Sequence, residues 1–255
     1  MLPLHDDPAG AYAVSMESVS REFVLDPEVG LAIRNGNGSV LVRGGCQAGC
    51  VTARRKPGPE LPHTRFFEPE IEQGSPVVIR CLYSCSKVAA SVDLEVEIPG
   101  APSTLEVETV NGNIILVGPS CPVVARAYNG FVRIEGPAGT ASLQTRNGAV
   151  EVLGDCRIGS ITTLNGDIRA MVSAIATEGG SFETVIGSIT LSIPQDLGAE
   201  LDAAAGRGGV SVSGVEVGSP EVGSGSMRGI LGAGGPRLLV RTRVGNISIS
   251  RANGR

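Results

Sequence analysis

The stretch Leu105-Glu-Val-Glu-Thr-Val-Asn-Gly-Asn-Ile-Ile-Leu-Val-Gly118 decides how this chain folds. Apolar and polar residues alternate before Asn111-Gly112 and again after it, which reads as two strands meeting at a tight turn. Asn-Gly recurs at Asn129-Gly130, Asn147-Gly148 and Asn165-Gly166, a fixed step of 18 residues. Two and four places after these glycines stand Ile114 and Leu116, Val132 and Ile134, Val150 and Val152, and Ile168 and Ala170. Gly118, Gly136 and Gly154 close the second strand with a residue that tolerates positive φ. Upstream, Val107, Ala125, Leu143, Ile161 and Phe182 hold one column, and Thr109, Ala127, Thr145, Thr163 and Thr184 hold another. No window of useful length carries the apolar spacing of a helix.

A unit this small cannot bury its own apolar face, so a fixed period of this kind predicts stacked copies. The expected fold is all-β: a single-domain β-solenoid (β-helix) with about 18-residue rungs, its handedness open. Roughly ten rungs at about 4.8 Å would make a rod on the order of 50 Å long. The turn asparagines are expected to form a ladder, each amide bonding to the next rung. The repeat drifts toward both ends. Gly187 follows without its asparagine, Gly209 begins a copy with Val210 and Val212, and Gly245 begins the last with Ile247 and Ile249. Asn37-Gly38, with Val40 and Val42, is an outlying copy near the amino end. The shared pattern assigns residues 21–252 to one domain after a tail of residues 1–20, with 54–75 and 214–236 as insertions or loops.

Composition agrees with a narrow, turn-rich rod: 36 glycines, 16 prolines and only 3% aromatic residues. The net charge of −5 and a single basic run, Arg54-Arg55-Lys56 without interleaved aromatics, argue against nucleic acid. Residues 1–20 carry Asp6, Asp7 and Pro8 where a secretory signal would be basic, and no run is long enough to span a bilayer. The expected compartment is therefore the cytoplasm, without direct membrane insertion, or the cell surface for a trimmed form of a longer exported chain.

Candidate chemistry is sparse. Cys46 and Cys50, and Cys81 and Cys85, form two Cys-x3-Cys pairs that are compatible with a metal site, with disulfides to other segments, or with reduced thiols. Cys121 and Cys156 fall in turns and read as structural. With only His5 and His63, both in poorly patterned segments, no hydrolytic triad is indicated, and no cofactor motif is present. Glu106, Glu108, Glu135 and Glu151 could line one outer face, the arrangement a carbohydrate-cleaving enzyme would need. The proline-punctuated excursion at 54–75 displays His63, Arg65, Phe66 and Phe67, the candidate binding residues.

The repeat from Leu105, its echoes, and the closing Leu231-Gly-Ala-Gly-Gly-Pro-Arg-Leu-Leu-Val-Arg-Thr-Arg-Val-Gly-Asn-Ile-Ser-Ile249 resemble the adhesin-like β-helix domain family, bacterial and archaeal domains of unknown function. Arg21-Glu-Phe-Val and Val92-Asp-Leu-Glu-Val-Glu-Ile-Pro99 share the resemblance, which covers residues 21–252. It implies a non-enzymatic interaction protein without cofactor that presents a protein- or glycan-binding surface. A self-assembling cytoplasmic scaffold joined through its solenoid ends is the alternative expectation, and a carbohydrate-active enzyme the third.

Overall fold

The computed structural model describes residues 18–56, 68–81 and 91–252. Every regular element among them is a strand, as the alternation predicts. In chain order these are β1 (Ser18–Phe23), β2 (Leu31–Asn37), β3 (Val40–Cys46), β4 (Gly49–Arg55), β5 (Glu70–Glu72), β6 (Val77–Cys81), β7 (Val92–Pro99) and β8 (Leu105–Asn111). There follow β9 (Ile114–Val117), β10 (Val123–Asn129), β11 (Val132–Glu135), β12 (Thr140–Asn147), β13 (Val150–Leu153), β14 (Arg157–Asn165), β15 (Ile168–Met171) and β16 (Ala174–Ile175). The last are β17 (Gly180–Ile186), β18 (Ile189–Ile193), β19 (Ala199–Arg207), β20 (Val210–Ser213), β21 (Val217–Gly223), β22 (Ser226–Leu231), β23 (Arg237–Val244) and β24 (Ile247–Arg251). They make two mixed sheets, one of 13 strands and one of 11, which share one core.

In the middle of the chain each Asn-Gly turn passes from the larger sheet to the smaller. Strands β8, β10, β12, β14 and β17 run parallel in the larger sheet, and β9, β11, β13, β15 and β18 in the smaller. The pairing follows the sequence period: Val123 lies beside Ala141, Ala125 beside Leu143, and Val132 beside Val150. We call one strand of each sheet with its joining turn a tier. The inward residues at each tier, such as Val107, Ile114 and Leu116, are wholly buried. Each contributes roughly 1.5–3 kcal/mol relative to exposure. The predicted asparagine ladder is present: Asn111, Asn129, Asn147 and Asn165 each donate Nδ2 to the Oδ1 of the preceding asparagine, at 2.7, 2.8, 2.8 and 2.9 Å, beginning at Asn37.

The glycine after each asparagine meets a stricter demand. A Cβ at Gly130 would lie 1.9 Å from the carbonyl oxygen of Gly112, and one at Gly148 2.1 Å from that of Gly130. Gly130 also has φ of 147°, a conformation L side chains rarely adopt. The same glycine carbonyls accept hydrogen bonds from the threonine column: Thr145 Oγ1 donates to Gly130 at 2.8 Å, Thr163 to Gly148 at 3.0 Å, and Thr184 to Gly166 at 3.0 Å. Threonine at this place is thus a buried donor.

Toward both ends the tier order departs from the chain order. The β2–β3 tier lies directly on β8–β9, which puts Asn37 beside Asn111 across 74 residues of chain. Strands β6 and β7 pair on its outer side. At the carboxyl end β23 inserts between β17 and β19, and β24 between β18 and β20. The copy expected to begin at Gly209 takes its turn at Gly208 instead, which sits 1.9 Å (as a virtual Cβ) from the Gly245 carbonyl. The count of the repeat gives the same phase, since Val210 and Val212 stand two and four places after Gly208.

The segment 214–236, expected as a loop, contains the antiparallel hairpin β21–β22 on the edge of β19. Its glycines and Pro220 blur the alternation, and β19 supplies the hydrogen bonds that make it a strand pair. An ionic cluster fastens it. Asp202 on β19, 10% exposed at its side chain, meets Arg228 of β22 at 3.3 Å and Arg241 of β23 at 2.8 Å, and also pairs with Arg237. Burial alone would raise the Asp202 pKa, but the hydrogen bond from Arg237 and the charges of Arg241 and Arg228 outweigh it and hold the carboxyl below its ordinary value.

Gly130→Ala is expected to cost more than about 3 kcal/mol in urea unfolding, since backbone cannot yield to the new Cβ. Thr145→Val should cost about 1–2 kcal/mol, for one lost buried hydrogen bond; the reverse order would mean that the tiers separate freely. Because Asp202 is depressed in the folded state, its stabilisation is complete above the ordinary aspartate value and is lost as pH falls through the lower, folded one. Asp202→Asn should remove that part of the acid limb of the stability curve and leave the rest.

Candidate functional site

The outer face of the larger sheet carries an open groove of about 760 Å³ that crosses β2, β8, β10, β12 and β14. Four strand spacings of about 4.8 Å make it roughly 19 Å long, running along the stack and across the strands. Strand register builds it from three columns. One wall is Arg34, Glu108, Arg126, Gln144 and Thr162, side by side on successive strands. Asn35, Thr109, Ala127, Thr145 and Thr163 line its floor. Gly36, Val110, Tyr128, Arg146 and Leu164, one residue further along each strand, form the other wall.

Pairing within the walls fixes the charges. Arg126 meets Glu106 at 2.5 Å and Glu108 at 3.1 Å, and Arg34 stands 3.8 Å from Glu108. Arg146 lies over the Tyr128 ring, 4.8 Å from its centroid, and donates to the Tyr128 hydroxyl. It has no carboxylate partner among the described residues. Three arginines against Glu108 give the lining a local positive balance in a chain of net charge −5. Val110, Tyr128 and Leu164 are 51%, 45% and 37% exposed, an apolar rim at the corner where the Asn-Gly turns begin. At the amino-end tier Asn35 is buried: its Nδ2 donates to Gly38 at 3.0 Å and Val92 at 2.9 Å, while its Oδ1 has no hydrogen-bond partner among the described residues.

The residues singled out from sequence fall elsewhere. His63, Arg65, Phe66, Phe67 and Cys85 lie outside the described residues. Cys46 and Cys50 flank the β3–β4 turn of the smaller sheet, where Cys50 alternates with the buried Val51 and so faces outward. Cys81 faces the core from the larger sheet, and burial, then the Glu70 charge, pushes its thiol up to about 11. Alternation thus turns Cys50 and Cys81 away from each other. Among the described residues no three His, Cys, Asp or Glu side chains gather as metal ligands. Cys121 and Cys156 are buried in the turns between sheets, and burial raises both thiols to about 11.

The four glutamates do not share a face. Glu106 and Glu108 belong to the larger sheet and Glu135 and Glu151 to the smaller, because the turn between them changes sheet. Glu135 and Glu151 pair with Arg133 at 2.7 and 3.7 Å. The groove itself was missed from sequence. The signal was there: its walls are the outward positions of the repeat, where Arg126, Tyr128 and Arg146 stand within neighbouring units.

No family model and no curated protein matches this chain. Among solved structures it is similar to a "putative adhesin" from Bacteroides fragilis, at 10% identity and a TM-score of 0.44 over 91% of this chain and 97% of that one. A "putative adhesin" from Parabacteroides merdae is 14% identical, with a TM-score of 0.42 over 93% and 97%. A "putative cell adhesion protein" from Clostridium sporogenes is 11% identical, with a TM-score of 0.34 over 93% and 100%. Likenesses this distant lend nothing to the function, which rests on the chain's own surfaces.

Thiol chemistry checks the placement of the cysteines. At pH 8 a thiol of pKa about 11 is on the order of one part in a thousand thiolate. Iodoacetamide on the folded chain should therefore modify the half-exposed Cys46 and Cys50 well before Cys121 and Cys156, as read by peptide mass mapping. Equal rates would show that the turns open readily.

Proposed function

We propose that this chain is a non-enzymatic β-solenoid that binds an acidic glycan along the groove of its larger sheet. The observation that carries the reading is the alignment of Arg34, Arg126, Arg146, Tyr128 and Gln144 along one groove, perpendicular to the strands. A sheet face offers a ligand no free backbone, because each strand there is bonded on both sides. Recognition must come from side chains alone. Guanidiniums for carboxylate or sulfate, amide and hydroxyl groups for ring hydroxyls, and an aromatic and aliphatic rim for apolar ring faces suit a sugar chain better than a peptide.

The stacked tiers supply stiffness, so little ordering cost falls on the protein when the ligand binds. The non-enzymatic part of the reading is supported by the division of the glutamates between two sheets and by their ion pairs with arginine. Self-assembly through the ends has weaker support: the terminal strands β1, β5 and β21 run antiparallel to their neighbours and interrupt the parallel stack.

Titration calorimetry with defined uronate and sulfated oligosaccharides, and with neutral oligosaccharides as controls, tests this. The acidic series should bind with an affinity that falls with salt. Arg146→Ala and Tyr128→Ala should each weaken binding by about tenfold without lowering the melting temperature, since both side chains are on the exposed wall. Failure of every acidic oligosaccharide to bind, or binding indifferent to both substitutions, would remove the groove from consideration.

A further inference from the structure

The two sheets have four outer edges among the described residues: β1 and β20 in the smaller sheet, β5 and β21 in the larger. Three are guarded against pairing with another chain. Strand β5 is three residues long and carries Glu70 and Glu72. Strand β1 carries Arg21 and Glu22. Strand β21 contains Pro220, a register shift between Gly218 and Glu221, and Ser219 at φ of 47°. Short length, charge, proline and bulges are the usual devices that keep an edge from pairing. Strand β20, Val210-Ser-Val-Ser213, is four residues long and carries no charge, proline or bulge.

Its surroundings are equally particular. Strands β19 and β20 are the two halves of one tier, yet the larger sheet continues past β19 with β22 and β21 while the smaller stops at β20. The hairpin therefore overhangs a recess about two strand spacings wide, on the order of 10 Å. Gly209 gives its carbonyl to Ile247, so alternation leaves the peptide groups of Val210 and Val212 on the open side of β20. Their register partners Ile247 and Ile249 are fully buried, whereas Val210 and Val212 remain half-exposed. Across the recess Met227 is opposite the buried Ala203, and Val222 is opposite Met227, which puts both on the core side of the hairpin. Val222 is nonetheless 72% exposed.

We infer that the open edge of β20, beneath the overhanging hairpin, is a strand-addition site for an extended peptide of a partner protein in which alternate residues are apolar. The incoming strand bonds to the free peptide groups of Val210 and Val212, and its apolar side chains cover those valines and the underside of β22 and β21. The overhang selects the occupant. An extended segment fits beneath it and pairs its first strand with β20, whereas a second copy docked end-on would drive its own sheets against the hairpin. The site lies at one end of the stack and does not depend on the groove.

A fluorescein-labelled peptide of the sequence Val244–Arg251, the strand that β20 already pairs with on its other side, is a suitable probe. By fluorescence anisotropy with the full chain it should bind saturably, and a proline-substituted version should not. Val212→Pro removes the open-side N–H without touching the bonds to β24, so binding should fall at least about tenfold while the melting temperature holds. Val212→Lys should do the same by placing a charge at the edge, and serves if the proline variant fails to fold. By hydrogen exchange, the amides of Val210 and Val212 should exchange rapidly in the free chain and become protected when the peptide is added. Absence of saturable binding, or binding unchanged in both variants, overturns the proposal. So does protection of both amides in the free chain, which would mean that its own residues cover the edge. A dimer that Val212→Pro dissociates would likewise overturn it by assigning the edge to a second copy.

Discussion

Backbone touches backbone where each tier turns, and that contact governs the rest of the molecule. A Cβ at the turn glycine would overlap the neighbouring carbonyl in Gly112, Gly130, Gly148, Gly166, Gly187, Gly245 and Gly208 alike. Only glycine lets the tiers approach to strand-pairing distance at the corner, and that approach lets the two sheets keep a common register on either side of it. The threonine donors then satisfy carbonyls that such close approach would otherwise strand in a dry environment, while the asparagine ladder links side chain to side chain on the exposed side of the turn.

Register control at the corner has an effect at the surface. Since every tier repeats the one before it, outward residues stand in straight columns, and a change at one position of the repeat becomes a change in one column. The groove arises in this way. Two outward columns on either side of an inward-facing one, repeated over five strands, make a channel without any loop contributing to it. The walls inherit their rigidity from the sheet, and Arg34, Glu108, Arg126, Gln144 and Arg146 carry long flexible groups into it.

The all-β character, the 18-residue step and the inward columns were legible because all three depend on local alternation and on a turn type that Asn-Gly specifies strongly. Tier order was not legible. Nothing in Asn37-Gly38 or in the last copy near Gly245 states which neighbour it will choose, since Ile, Val and Leu columns match any tier equally well. The hairpin β21–β22 was hidden for a related reason: its strands are specified by the edge of β19, from residues far apart in sequence. The groove was half visible. Its columns could be written down from the repeat, but their concavity depends on how the chain bends before each turn, which the period does not encode. The cysteines show the limits of spacing, for Cys50 and Cys81 belong to different sheets and opposite faces.

The departure of tier order from chain order also separates the molecule into parts with different freedom to vary. From β8 to β18 each tier is followed in the chain by its neighbour in space, so an 18-residue unit could be gained or lost there and the chain would still thread through. Outside that span it could not. Strands β2 and β3 are held between tiers made later in the chain, and β23 and β24 are wedged between tiers made earlier. Each end is therefore a fixed clasp, closed by a piece of chain that returns to it. The number of tiers is a quantity the middle can adjust, while the ends, with the β20 edge at one of them, are inherited as units.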